Sequence, residues 1–359
     1  MSDSLQLHAG EWVEVRSKED ILATLDDNGR LEMLPFMPEM FQYCGLRFQV
    51  QKRAHKTCDP PSGMQARRMK DAVHLGDLRC GGESHGGCQA GCLIFWKERW
   101  LRRVEADAPI TLRKPVPPSS PATRAAGAGC TEAQVFAAVY RAGSNPQSDE
   151  PLYACQSTDV FVATTPLPWW HLQQYVEDVR SGNVHIGQLV KALVFYIIHE
   201  ITQAGLGIGS AMRLVYDSLQ KLRGGAPYPW RPGEVVKGTR TPSEKLNLQP
   251  GDLVRVRDYR EILKTLDQDW RNRGMYFDGE LVPFCNGTYS VLRRVEKIVD
   301  EKTGKMLHFK NDAIILKDVA CEARYAKCRH FCSRAIYPYW REIWLERAAP
   351  ATSASSAGK

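Results

Sequence analysis

No glycine-rich dinucleotide fingerprint follows a strand in this sequence. It also has no phosphate-binding Walker loop, no Gly-x-Ser-x-Gly elbow and no His-Glu-x-x-His helix. Each of those motifs depends on a fixed residue spacing, so their absence removes the common routes to nucleotide, acyl-transfer and zinc-protease chemistry. Gly205, Gly207 and Gly209 fall inside a helical stretch, not after a strand, and give no phosphate loop. Long apolar runs are missing too. The stretch 184–203 is broken by Lys191, His199 and Glu200, short of the roughly 20 residues a membrane span needs. The opening residues Met1-Ser2-Asp3-Ser4-Leu5-Gln6 hold neither a basic nor an apolar block. That predicts no secretory leader and a cytoplasmic chain.

What is present is ordinary for a folded protein. Apolar residues make up 43% and charged residues 25% of 359, enough to bury cores and too many residues for one. The net charge of +7 is spread along the chain. It permits a nucleic-acid partner without indicating one, because that footprint is a clustered basic patch. The 11 cysteines stand out. In a reducing compartment they point to metal binding or catalysis, not to a disulfide framework.

The strongest pattern is an internal repeat. Gly10-Glu11-Trp12-Val13-Glu14-Val15-Arg16 matches Gly251-Asp252-Leu253-Val254-Arg255-Val256-Arg257. The alignment runs on without a gap through Phe36/Phe277, Glu39/Glu280, Cys44/Cys285, Val50/Val291, Arg53/Arg294 and Cys80/Cys321. A one-residue deletion then pairs Cys88 with Cys328 and Cys92 with Cys332. An insertion placed around 336–339 pairs Trp96 with Trp340 and Trp100 with Trp344. The organisation expected is an N-terminal module at 5–106, a linker at 107–129, a helical middle at 130–245, a C-terminal module at 246–348 and a disordered tail at 349–359.

Alternation at 10–16 predicts a half-buried strand, and Ser17 with Asp20 predicts a helix start. Further strands are expected over 45–53, 72–75, 253–257, 288–299 and 313–316, with a hairpin turn at 300–305. The tryptophan-rich segment 94–104 has apolar residues at helical spacing. A Gly-Asp-Leu-Val-Arg-Val opening followed by short strands and turns is similar to a small SH3-like β-barrel. The resemblance covers roughly the first 70 residues of each module and implies a fold without a function. The fold class expected is therefore α+β, with two related SH3-like modules flanking a helical middle. Within that middle, 184–203 and the helix carrying Met212, Val215, Leu219 and Leu222 show broad apolar faces. Packing against the modules is expected of them in preference to peripheral membrane contact over 184–222.

The chemistry concentrates on Cys80-Gly81-Gly82-Glu83-Ser84-His85-Gly86-Gly87-Cys88-Gln89-Ala90-Gly91-Cys92. Soft ligands on a loop that glycine lets fold tightly suggest a metal. The candidate ligands are Cys80, Cys88 and Cys92, with Cys44 or Cys58 as the fourth thiol. Cys44 has a partner in the second copy, and Cys58 has none. The second copy offers Cys285, Cys321, Cys328 and Cys332 on a loop without the glycines. His85 and His330 do not align, so solvated loop positions are expected for both. Cys130 and Cys155 carry no distinguishing context. The expected cofactor is zinc or an iron–sulfur cluster. The expected role is a binding or scaffold protein with a protein partner. The alternatives are an iron–sulfur redox enzyme or electron carrier, and a nucleic-acid-binding barrel.

Overall fold

The computed structural model describes residues 4–105, 129–204 and 207–348. The linker and tail expected from the sequence lie outside these residues, apart from Gly129. Helices and small, open, antiparallel sheets are both present, so the chain is α+β. It divides into two compact units. The first comprises residues up to 192 together with 297–307 and 327–335. The second comprises 193–296, 308–326 and 336 onward. Two segments of the second repeat thus belong to the first unit.

In the first unit a five-stranded sheet has the order Trp96–Lys97, Ala72–Leu75, Arg47–Arg53, Trp12–Val15 and Leu101–Arg103. Val13 and Val15 are fully buried while Trp12 faces out, as a period of two requires. Ser17 caps the following helix, Lys18–Leu22, by accepting from the Asp20 amide at 3.2 Å. The 94–104 segment is not a helix. It is two short strands joined by a 3-10 turn at Glu98–Trp100. The turn lets Trp96 and Trp100 both reach the core, where Phe36 meets each edge-on. Helical and turn spacing coincide over so short a stretch.

The sheet of the second unit repeats this register. Trp12↔Gln49 and Glu14↔Arg102 in the first unit correspond to Leu253↔Ser290 and Arg255↔Glu346 in the second. Both sheets carry an irregularity at the same place, between Val50 and Lys52 and between Val291 and Arg293. The structure moves the insertion, however. Cys80 donates its amide to the Cys92 carbonyl at 2.9 Å, and Cys321 donates to that of Ile336 at 2.8 Å. Ile336, not Cys332, therefore stands where Cys92 stands. The extra residues lengthen the second loop before position 336.

Within the first unit, the Lys56–Asp59 strand pairs with Gln65–Met69, and Thr164–Pro166 extends that sheet. The segment 327–335 lies along this hairpin, with Ser333 donating to the Lys56 carbonyl at 3.1 Å. In turn, segment 297–307 covers the glycine-rich loop. Gln89 donates to the Lys297 carbonyl at 3.0 Å, and Tyr153 to that of Gly304 at 2.8 Å. The middle contributes helices Glu132–Ala137, Gln156–Asp159 and Gln173–Arg180.

The helices Ile186–Gln203 and Gly209–Leu222 form where the periodicity places them, but their aliphatic stripes are not covered. Ile186, Val190, Leu193, Ile197, Leu214 and Leu222 are exposed. In the second unit, packing runs instead through aromatic rings, with buried Phe195 against Tyr216, Tyr228 and Tyr325. A wide apolar arc does not say which of its sectors makes the contact.

Each unit also buries a glutamate that clamps the chain entering its sheet. Glu98 accepts from the Gln6 and Leu7 amides at 2.9 and 3.0 Å and from Arg53 at 3.1 Å. Glu342 accepts from the Leu246 and Leu248 amides at 2.7 and 2.9 Å and pairs with Arg294. Burial would raise the Glu342 carboxyl, but the amides and Arg294 outweigh it and hold it below its ordinary value. A depressed carboxyl contributes its full stability above the unfolded-state value, and loses it as pH falls through the folded value. Glu342→Gln should therefore flatten the acid limb of a stability–pH profile, and an unaltered limb would contradict the clamp. Glu98→Ala strands the Gln6 and Leu7 amides, while Arg53 keeps Asp71 and Glu177. It should cost about 2–4 kcal/mol in urea unfolding.

Candidate metal centre

The loop at 80–92 is built from its neck outward. Arg79 bridges Leu93, Ile94 donates to the Leu78 carbonyl at 3.0 Å, and the Cys80 amide reaches Cys92. This short antiparallel neck sets Cys80 and Cys92 opposite each other. Beyond it the chain turns back on itself, with the His85 and Gly87 amides both donating to the Gly82 carbonyl at 3.0 and 2.9 Å. Glycine is required at two points. Gly82 has φ +77°, and a Cβ there would overlap the Cys88 carbonyl. Gly86 has φ +62°, and a Cβ would strike the Tyr153 hydroxyl.

The folded loop encloses a cavity of about 30 Å³ lined by Glu39, Cys80, His85, Cys88, Cys92 and Cys155, among others. The donor atoms of Glu39, Cys80 and His85 all lie within 4.8 Å of one another. Glu39 comes from the 3-10 turn Pro38–Tyr43. Its carboxylate accepts from the Cys80 thiol at 3.0 Å and from the Ser84 hydroxyl at 2.5 Å. His85 Nδ1 lies 3.7 Å from the same carboxylate. His85 is 1% exposed, and its Nε2 is buried with no hydrogen-bond partner. Burial lowers the His85 imidazole pKa against the opposing pull of Glu39, which favours the neutral ring that ligates metals.

Cys155 is the N-cap of Gln156–Asp159. The neighbouring Gln156 side chain fixes it by spanning the Phe95 amide at 2.8 Å, the Phe95 carbonyl at 2.9 Å and the Pro35 carbonyl at 3.1 Å. Across the cavity, Cys88 Sγ accepts from the Val299 amide at 3.3 Å. Burial pushes the Cys92 thiol up to about 11, and it raises Cys80 and Cys155 as well. Thiols with raised values stay protonated until a cation offsets the charge.

Cys80, Cys88 and Cys92 therefore meet at one cavity as the loop suggested. Neither thiol considered as the fourth lines it. Cys44 sits at the end of the Pro38–Tyr43 turn near Lys18, with burial raising it to about 11. Cys58 lies in the buried Lys56–Asp59 strand and hydrogen-bonds Cys332. Cys332 and Cys328 belong to the first unit, and Cys285 and Cys321 to the second. Cys328 donates to the Met64 carbonyl at 3.5 Å. His85 and His330 are buried, against the expectation of solvated positions. For His85 the reason is the loop's fold, which turns its ring inward.

Sequence reasoning missed Glu39, His85 and Cys155 as lining residues. Glu39 left a signal in the Glu39/Glu280 match, and the structure shows how the copies diverged. Glu280 accepts from the Arg324, Tyr325 and Ala326 amides at 2.7, 2.7 and 3.2 Å. Backbone thus satisfies the second carboxylate, whereas side-chain donors surround the first. No protein-family model and no curated protein matches the chain.

Because Gly82 is left-handed and in contact with backbone, Gly82→Ala should destabilise the loop by about 1–3 kcal/mol. It should also make Cys88 and Cys92 react faster with a thiol reagent. Unchanged reactivity would show that the loop tolerates the Cβ.

Proposed function

We propose that the chain is a metal-binding scaffold protein whose first repeat holds one zinc ion at the loop cavity. The observation that carries this reading is the convergence of Glu39, Cys80 and the buried imidazole of His85, with donor atoms within 4.8 Å of one another, on one small cavity. Thiolate, imidazole and carboxylate are the donors zinc takes, commonly four at a time. One of Cys88, Cys92 and Cys155 supplies the fourth. The second repeat is a closed copy, since Glu280 is already satisfied. Its role in this reading is to hold partner surfaces, with SH3-like modules as the scaffold; the matched sheet registers favour related modules. No disulfide joins any of the 11 cysteines, which suits a reducing cytoplasm.

A second reading follows from the four thiols on one cavity. Cys80, Cys88, Cys92 and Cys155 match the number that holds an iron–sulfur cluster, and that centre would make the protein an electron carrier or redox enzyme. Protein purified without oxygen separates the two. Zinc predicts a colourless protein with one zinc per chain. A cluster predicts a brown protein with iron and sulfide, which would overturn the zinc reading.

Structural zinc contributes folding energy on the order of 10 kcal/mol in small modules. Chelation should therefore lower the melting temperature of the first unit sharply. Cys80→Ser and His85→Ala should each reduce zinc content, while Cys285→Ser should not. Full zinc retention in both cavity variants would place the metal elsewhere.

A further inference from the structure

Cys58 and Cys332 lie outside the metal cavity and far apart in sequence, yet the structure pins them together. Both are buried, at 2% and 4% exposure, and their thiols share a hydrogen bond. The backbone around them is fixed on both sides of Cys332. Lys56 Nζ donates to the His330 carbonyl at 3.0 Å, and the Ser333 amide donates to the Lys56 carbonyl at 3.1 Å. Arg334 Nη1 donates to the Cys58 carbonyl itself at 3.0 Å, while its Nη2 pairs with Glu301 at 2.6 Å. The Ser333–Lys56 backbone bond lays the two segments side by side, and the thiols meet across them, the proximity a disulfide requires.

We propose that Cys58 and Cys332 are a reversible dithiol–disulfide pair, oxidised by a reagent as small as hydrogen peroxide. The hydrogen bond with Cys332, and then the guanidinium of Arg334, buried at 2% exposure, favour the Cys58 thiolate against burial. The Cys58 thiolate attacks one peroxide oxygen, the O–O bond breaks and, with one proton, water leaves. The product is a sulfenic acid at Cys58. The Cys332 thiol then attacks that sulfur, and its proton leaves with the hydroxyl as a second water. One peroxide is reduced and two thiols are oxidised. Burial excludes a bulky disulfide as the first oxidant, and thiol-based reductants restore the pair once local opening admits them. The bond would tie the first repeat's hairpin to the second repeat's loop.

The inference stands apart from the metal reading, because neither thiol lines that cavity. The test treats reduced, full-length protein with equimolar peroxide, alkylates the remaining thiols and maps the peptides without reduction. The expected result is a cross-linked peptide pair joining Cys58 and Cys332 that disappears on dithiothreitol treatment. It should form equally in Cys285→Ser, and be lost in Cys58→Ser and in Cys332→Ser. If either serine variant does not fold, the wild-type map decides alone. Alkylation of both residues after peroxide, or pairing of either with another cysteine, would overturn the proposal.

Discussion

A buried carboxylate must be neutralised or hydrogen-bonded, and the two repeats solve that constraint differently. Glu280 closes on three backbone amides of its own unit. Glu39 instead faces a thiol, a hydroxyl and an imidazole in a small cavity. Isolated, such a donor set leaves charge poorly compensated and His85 Nε2 without a partner, which carries a real energetic cost. In the metal reading proposed above, a cation among these donors would offset the carboxylate charge. The glycines follow from the same constraint, because only a loop that folds back on Gly82 brings Ser84 and His85 to the Glu39 carboxylate.

The surrounding structure supports that loop from several elements. The Arg79–Leu93 neck sets Cys80 against Cys92, the Gln156 amide places Cys155, and segment 297–307 covers Cys88 and Gln89. Rigid support of this kind is what a binding constellation needs to hold its geometry. It also explains why the compact units do not follow the sequence repeats. The first loop is finished by a hairpin of the second repeat, and the first hairpin carries the second repeat's loop.

Much of the fold was legible because it rests on local signals. Strand alternation at 12–15, the Ser17 cap and the hairpin turn at 300–305 are readable from neighbouring residues. The repeat carried the sheet register over to the second unit. The 94–104 segment was not legible, since two tryptophans four apart fit a helix and a strand–turn–strand equally well. The uncovered aliphatic faces of 186–222 were not legible either, because periodicity shows an apolar face but not its neighbour. For the site, three of the four thiols at the cavity were marked by the loop. Cys155 was not, since nothing in its surroundings distinguishes it and the linker separates it from the loop. Cys44 drew attention through a repeat match that the structure shows as a shared turn end, away from the cavity.

The most direct test of the central claim is X-ray absorption at the metal edge of the purified full-length protein. The account predicts a single zinc with mixed ligation, sulfur together with nitrogen or oxygen, and a loss of nitrogen scattering in His85→Ala. An all-sulfur shell with a metal–metal vector, or a protein without metal, would contradict it.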